Sequence, residues 1–98
     1  MRVLILGLVS IVPLMSAVLA AGQSQATPPG KVPYTRVCAA CHGDNAECSQ
    51  GPKIAGVDLE YDEFLAKVRH GGGEMPAIPK TQVTDEEAKQ IFDYLKSL

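Results

Sequence analysis

The sequence predicts an all-α domain, and three observations predict it. Three stretches space apolar residues as one face of an amphipathic helix, and nothing after the first two dozen residues alternates long enough for a strand. Glycine and proline punctuate the chain between these stretches. The last stretch also opens on a strong helix-start signal, Thr84 followed three residues on by Glu87.

Residues 1–21 are expected to stand outside the fold. Arg2 supplies a minimal positive start, Val3 to Leu14 is almost entirely apolar, and Val18-Leu19-Ala20-Ala21-Gly22 resembles a cleavage site. This is the pattern of a secretory signal peptide. The competing reading is a retained anchor, because the apolar run approaches the roughly 20 residues that span a bilayer core. Pro13, the single charge and the small-residue end favour cleavage. Either way the domain is expected outside the cytoplasm: in the periplasm, or at the outer face of the inner membrane if the segment is retained. Residues 22–29 are polar, end in two prolines and read as a flexible leader. That leaves residues 30–98 as one small domain with no internal repeat.

The first helix carries Tyr34, Val37, Cys38 and Cys41 at i, i+3, i+4 and i+7. Pro33 is acceptable only in the first turn, so the helix is expected to start near Val32 or Pro33 and to end at Gly43. In the second, Asp58 is the expected N-cap, Tyr61, Phe64, Leu65 and Val68 form the stripe, and Gly71-Gly72-Gly73 stops it. The third is capped by Thr84 with Glu87 closing a capping box, and Val83 is placed to staple onto Ala88. Ala88, Ile91, Phe92 and Leu95 make its buried face, continued by Leu98.

Charge excludes little except nucleic acid. Nine Lys and Arg stand against eleven Asp and Glu, and losing Arg2 makes the remainder more acidic. No basic stripe with interleaved aromatics is present, so nucleic-acid binding is not expected.

Cys38-Ala39-Ala40-Cys41-His42 carries the chemistry. A C-x-x-C-H run reads as a covalent attachment site for one c-type haem, with Cys38 and Cys41 each reaching a vinyl group on the same porphyrin edge. The histidine that follows is brought beneath the iron. Two other readings use the same residues. Cys48, His42 and His70 would complete a tetrahedral zinc site, and a C-x-x-C pair would serve thiol redox chemistry in a βαβ context that this chain lacks. Neither explains a histidine directly after the second cysteine. A buried porphyrin would also supply core that a chain this short lacks.

The sixth ligand decides between an electron relay and an open site. Met75 is the one methionine outside the expected signal peptide, in Gly73-Glu74-Met75-Pro76-Ala77-Ile78-Pro79, where two prolines stiffen a non-helical stretch. It is the expected second axial ligand beside His42, the alternative being a core-filling methionine. His70, near a helix end, is the other candidate. A haem-ligating histidine should give its second ring proton to a carbonyl. Gly51-Pro52 lies about ten residues past His42 across a polar loop, and Pro52 is the candidate acceptor.

On these residues the chain resembles a small bacterial class I (monohaem) cytochrome c over nearly all of its domain. The likeness is carried by Gly30-xxx-Tyr34-xxx-Cys38-xx-Cys41-His42-Gly43, Gly51-Pro52 with Ala55-Gly56, Val68-Arg69-His70-Gly71, Met75-Pro76 and Tyr94-Leu95. It implies a small cytochrome c-type fold with three main helices around a covalently bound haem. It also implies axial ligands at His42 and Met75, a Pro52 carbonyl on the histidine, and a crossing of the first and last helices. That crossing would set Gly30 and Tyr34 against Phe92 or Tyr94. Pro33 shortens the first helix and leaves Gly30 at its edge, and Cys48 is outside the family pattern.

The function expected is one-electron transfer between redox protein partners: a dehydrogenase, an oxidase or another cytochrome. Ala39, Ala40, Ala77 and Ile78 are expected to ring the exposed haem edge as a weak docking surface. The free carrier and the cytochrome subunit of a dehydrogenase both fit. A rival class is a haem enzyme or gas sensor with a labile Met75, for which His70 is the one candidate acid or base.

Overall fold

Gly30 is the N-cap of the first helix, which begins at Lys31, slightly earlier than Pro33 led us to expect. The computed structural model of the chain describes residues 26–98, together with Gly7, Ser10, Val12 and Pro13. Apart from those four, the expected signal peptide over 1–21 and the first part of the leader lie outside the described residues. Among the described residues there are four helices: α1 (Lys31–Val37), α2 (Ala39–His42), α3 (Tyr61–His70) and α4 (Asp85–Lys96). None of them is long and apolar enough to cross a membrane. The all-α expectation holds, since the described residues include no strand and only an isolated bridge between Gly72 and Met75.

The expected first helix is divided at Cys38 into α1 and α2. The break is slight, because Cys38 keeps helical backbone angles (φ −98°, ψ −33°). Its N–H donates to the Tyr34 carbonyl at 2.8 Å, and the His42 N–H donates to the Cys38 carbonyl at 3.0 Å. Pro33 is the third residue of α1, where no N–H is required of it, and it is buried.

For α3 the expected cap is corrected. Glu60, not Asp58, is the N-cap, and it makes no side-chain cap bond. Asp62 and Glu63 in the first turn and Lys67, Arg69 and His70 in the last complement the helix dipole instead. Gly71 ends the helix at φ +66°, a left-handed conformation that suits glycine. Phe64 and Val68 are buried and Tyr61 and Leu65 half-buried, as the stripe requires.

The start of α4 matches its sequence signal in full. The Glu87 N–H donates to Thr84 Oγ1 and the Thr84 N–H to Glu87 Oε1, both at 3.1 Å. Val83 and Ala88, on either side of the cap, are both buried. The buried face includes Tyr94 as well as Ala88, Ile91, Phe92 and Leu95. Leu98 does not continue it: it lies past the helix end and is 51% exposed.

Two junctions build the core. At the first, a Cβ on Gly30 would overlap the Gln90 carbonyl and the Tyr94 side chain, so only glycine lets α1 and α4 approach this closely. Tyr34 then meets Tyr94 with ring centroids 5.7 Å apart. The expected crossing is therefore present, with Tyr94 as its aromatic partner. At the second, Phe92 packs against Phe64 (5.3 Å) and Tyr61 (5.5 Å) and joins α4 to α3.

Candidate functional site

The three residues of the attachment run sit where α1 gives way to α2. Cys38 is half-buried and Cys41 exposed, and both are free thiols. Burial pushes the Cys38 thiol up to about 11, partly opposed by the Arg36 guanidinium.

His42 is oriented from behind by the loop that follows. Its Nδ1–H donates to the Pro52 carbonyl at 2.8 Å. A carbonyl only accepts, so a proton must be on Nδ1, and in the neutral ring this leaves the Nε2 lone pair as the one able to hold a metal. Gly51 makes this approach possible. A Cβ there would come within 3.0 Å of both Cε1 and Nδ1 of the ring. The Gly51 N–H is also bonded to the Cys41 carbonyl at 2.6 Å, which closes the loop beneath the imidazole.

The same loop is pinned from inside. Tyr34, fully buried, donates its hydroxyl to the Gly43 carbonyl at 2.6 Å. Ala46, also fully buried, adopts a left-handed φ of +57°, and its carbonyl accepts both the Ile54 and Ala55 N–H groups at 2.9 Å. Gly56 N–H then donates to the Leu95 carbonyl of α4 at 2.7 Å. Nothing in the sequence marked Ala46 for this role, since alanine carries no turn signal.

Met75 comes from the segment between α3 and α4. Its N–H and C=O pair with those of Gly72, each bond 3.0 Å, forming a tight turn that presents the half-buried side chain. A Cβ on Gly71 would strike the backbone of Met75, Pro76 and Ala77. Beyond the turn, the Ile78 N–H donates to the Val68 carbonyl at 2.8 Å. Arg69 was read only as part of a motif. Its Nη1 bonds the carbonyls of Ile78 (3.0 Å) and Val83 (2.8 Å), and its Nη2 bonds the Asp85 carboxylate (2.7 Å).

The donor set and its surroundings fit a haem. Nε2 of His42 is free to ligate beside two thiols, and each donor-bearing segment adds a half-buried apolar side chain: Val37 before Cys38, Ile54 beyond Pro52, Met75 itself, with Leu65 on α3. Half-buried apolar side chains of this kind suit contact with a flat apolar ring. The zinc reading is not supported, because no three His, Cys, Asp or Glu side chains gather as a metal site among the described residues. His70 is exposed at the end of α3, and Cys48 is exposed in the loop. The expected docking ring needs one correction. Ala40 and Ala77 are exposed, but Ile78 is buried (7%), drawn inward by its bonds to Val68 and Arg69.

Comparisons with known proteins show what the chain is similar to. Residues 25–95 match the family described as cytochrome c oxidase, cbb3-type, subunit III. The chain is 40% identical over 83 residues to the cytochrome c subunit of 4-cresol dehydrogenase (hydroxylating) from Pseudomonas putida, covering 82% of this chain and 72% of that one. It is 38% identical over 56 residues to cytochrome c-550 of Bacillus subtilis, covering 53% and 47% of the two chains. Among solved structures, a chain in the crystal structure of p-cresol methylhydroxylase with substrate bound superposes with a TM-score of 0.62 at 39% identity, over 70% of this chain and 90% of that one.

Proposed function

The chain belongs to the cytochrome c family and is an electron carrier, and we propose that it works with a single haem c joined to Cys38 and Cys41 and ligated by His42 and Met75. When bound, the haem supplies a one-electron Fe(III)/Fe(II) couple. The observation that carries the reading is the bond from His42 Nδ1 to the Pro52 carbonyl, 2.8 Å, directly after the cysteine pair. It fixes the tautomer, raises the basicity of Nε2 and stops the ring from turning.

The remaining residues keep that arrangement still. Gly51 lets the loop lie against the imidazole, and Tyr34 ties the start of that loop to the α1–α4 crossing. On the other side, Gly71 and the Gly72–Met75 pairing hold the thioether at the tip of a turn. With both ligand segments anchored, little nuclear rearrangement accompanies a change of charge, and this favours rapid transfer. The mixed, mildly acidic surface suits short-lived encounters.

The partner we propose is a dehydrogenase that delivers electrons one at a time, and the place is the outer side of a bacterial inner membrane. Similarity to the cytochrome subunit of a cresol-oxidising dehydrogenase supports the first. The leader pattern in residues 1–21 supports the second.

The test is the optical spectrum of the ferric holoprotein, before and after Met75→Ala. The weak long-wavelength band of methionine–iron ligation should be present in the first and absent in the second. A haem spectrum without that band in the unaltered protein overturns the His42/Met75 assignment.

A further inference from the structure

We propose that Arg69 is a positioning residue for the Met75 ligand. It sets how firmly the thioether stays on the iron, although it touches neither. The proposal rests on Met75 being that ligand.

The stretch between α3 and α4 contains no helix. Two of its own bonds, between Gly72 and Met75, shape the turn at its start. The turn closes before Pro76. From there to Thr84, one backbone bond reaches back to α3, Ile78 N–H to Val68 C=O at 2.8 Å. Arg69 adds three more bonds from α3, beside the one from the Tyr61 hydroxyl to the Asp85 carbonyl at 3.3 Å. One guanidinium reaches three points along the returning chain: the Ile78 carbonyl just past Met75, the Val83 carbonyl at the end of the loop, and the Asp85 carboxylate in the first turn of α4. The side chain is only 15% exposed. Its Nε is buried with no partner among the described residues, so the two Nη groups alone do the anchoring.

This geometry needs arginine. Bonds leave the planar fork in fixed, diverging directions, so one side chain holds separate segments at a set distance. A lysine keeps the charge but concentrates its donors at one flexible point. With the fork gone, the segment carrying Met75 keeps the Ile78–Val68 backbone bond to α3, and beyond it only the more distant bond from Arg36 to the Gln82 carbonyl. The turn then opens more often, and each opening lifts the thioether off its haem.

The experiment uses ferric holoprotein with imidazole as a competing ligand, on the unaltered chain and on Arg69→Met, Arg69→Lys, Met75→Ala and Ile91→Val. Amide exchange at Ile78 and Val83 is followed in parallel with exchange at Phe92 in α4. Arg69→Met should bind imidazole at least about tenfold more tightly, the scale of losing hydrogen bonds to a charged group. Its Ile78 and Val83 amides should exchange faster by a similar factor while Phe92 is unchanged. Arg69→Lys should recover only part of this. Ile91→Val, a core change outside the loop, should lower the melting temperature without altering imidazole affinity. If Arg69→Met lowers the melting temperature but binds imidazole as the unaltered protein does, Arg69 is merely structural and the proposal fails. If Met75→Ala leaves spectrum and imidazole affinity unchanged, the ligand assignment itself fails and takes the proposal with it.

Discussion

The hydroxyl of Tyr34 and the carbonyl of Gly43 are joined at 2.6 Å, linking the α1–α4 crossing to the first residue after the His42 turn. Burial pushes the Tyr34 phenol from 10.0 up to about 12. The folded chain thus holds this proton where the unfolded chain has released it. The resulting stability is complete below pH 10 and is lost as pH rises from 10 through about 12. Tyr34→Phe should remove that alkaline slope and lower stability at neutral pH by about 1 kcal/mol, measured by denaturant titration across the pH range.

Gly51→Ala tests the support behind the imidazole. The new methyl would lie 3.0 Å from Cε1 and Nδ1 of His42. Either the ring or the loop must shift, at a cost of about 1–3 kcal/mol. Denaturant titration should report the lost stability, and NMR of the ferric holoprotein should show displaced His42 resonances if His42 is the ligand proposed. An unchanged protein on both measures would mean that the loop yields freely.

Gly30→Ala tests the helix crossing. The Gln90 carbonyl and the Tyr94 side chain leave no space for a methyl, so α1 must move off α4. We expect a loss of about 2–3 kcal/mol in thermal unfolding, typical of overpacking in a closed core. An exposed glycine such as Gly73, where a Cβ meets nothing within 4 Å, is a poor control because its φ is +58°. Val32→Ala is better, since Val32 is 62% exposed in the same helix.

Acid should loosen the region at the start of α4. Arg69, then Lys80, hold the Asp85 carboxyl below its usual range, and Arg36 with the Thr84 backbone does the same for Glu87. Groups with depressed values contribute stability above their unfolded values, 3.8 and 4.5, and lose it as pH falls through the folded ones. Melting temperature should therefore decline as pH drops below the ordinary carboxylate range. Asp85→Asn should flatten part of that decline.

Thr84→Ala removes the acceptor for the Glu87 N–H and leaves half a capping box. The expected loss is about 1 kcal/mol in thermal or chemical unfolding. Thr84→Ser, which keeps the oxygen, should lose far less.

How far the sequence could be read depended on whether a feature was local. Thr84 and Glu87 bond across one helical turn, so their spacing was enough to place the cap. The Cys38-to-His42 run is equally local. Pro52 is legible because a haem-ligating histidine calls for a carbonyl acceptor, and Gly51-Pro52, ten residues on across a polar loop, offers one. Asp58 failed as a cap because chain entry at Glu60 is set by packing of Tyr61 and Phe64 on Phe92, which no local signal records. Ile78 reads as exposed because it lies in a loop between prolines, whereas bonds to Val68 and Arg69, ten and nine residues back on α3, draw it in. Ala46 at φ +57° is the same kind of omission, its conformation being fixed by partners in the returning loop.

α4 supplies no donor to the site, yet both halves of the site lean on it. Its Gln90 and Tyr94 seat α1, its Leu95 carbonyl holds the end of the His42 loop, and Asp85 meets the arginine behind Met75. Chains emerge from synthesis N-terminus first, so His42 and Met75 are both made before the helix that holds their segments. A porphyrin joined at Cys38 and Cys41, as proposed, would meet an attachment run made before the helix that closes around it.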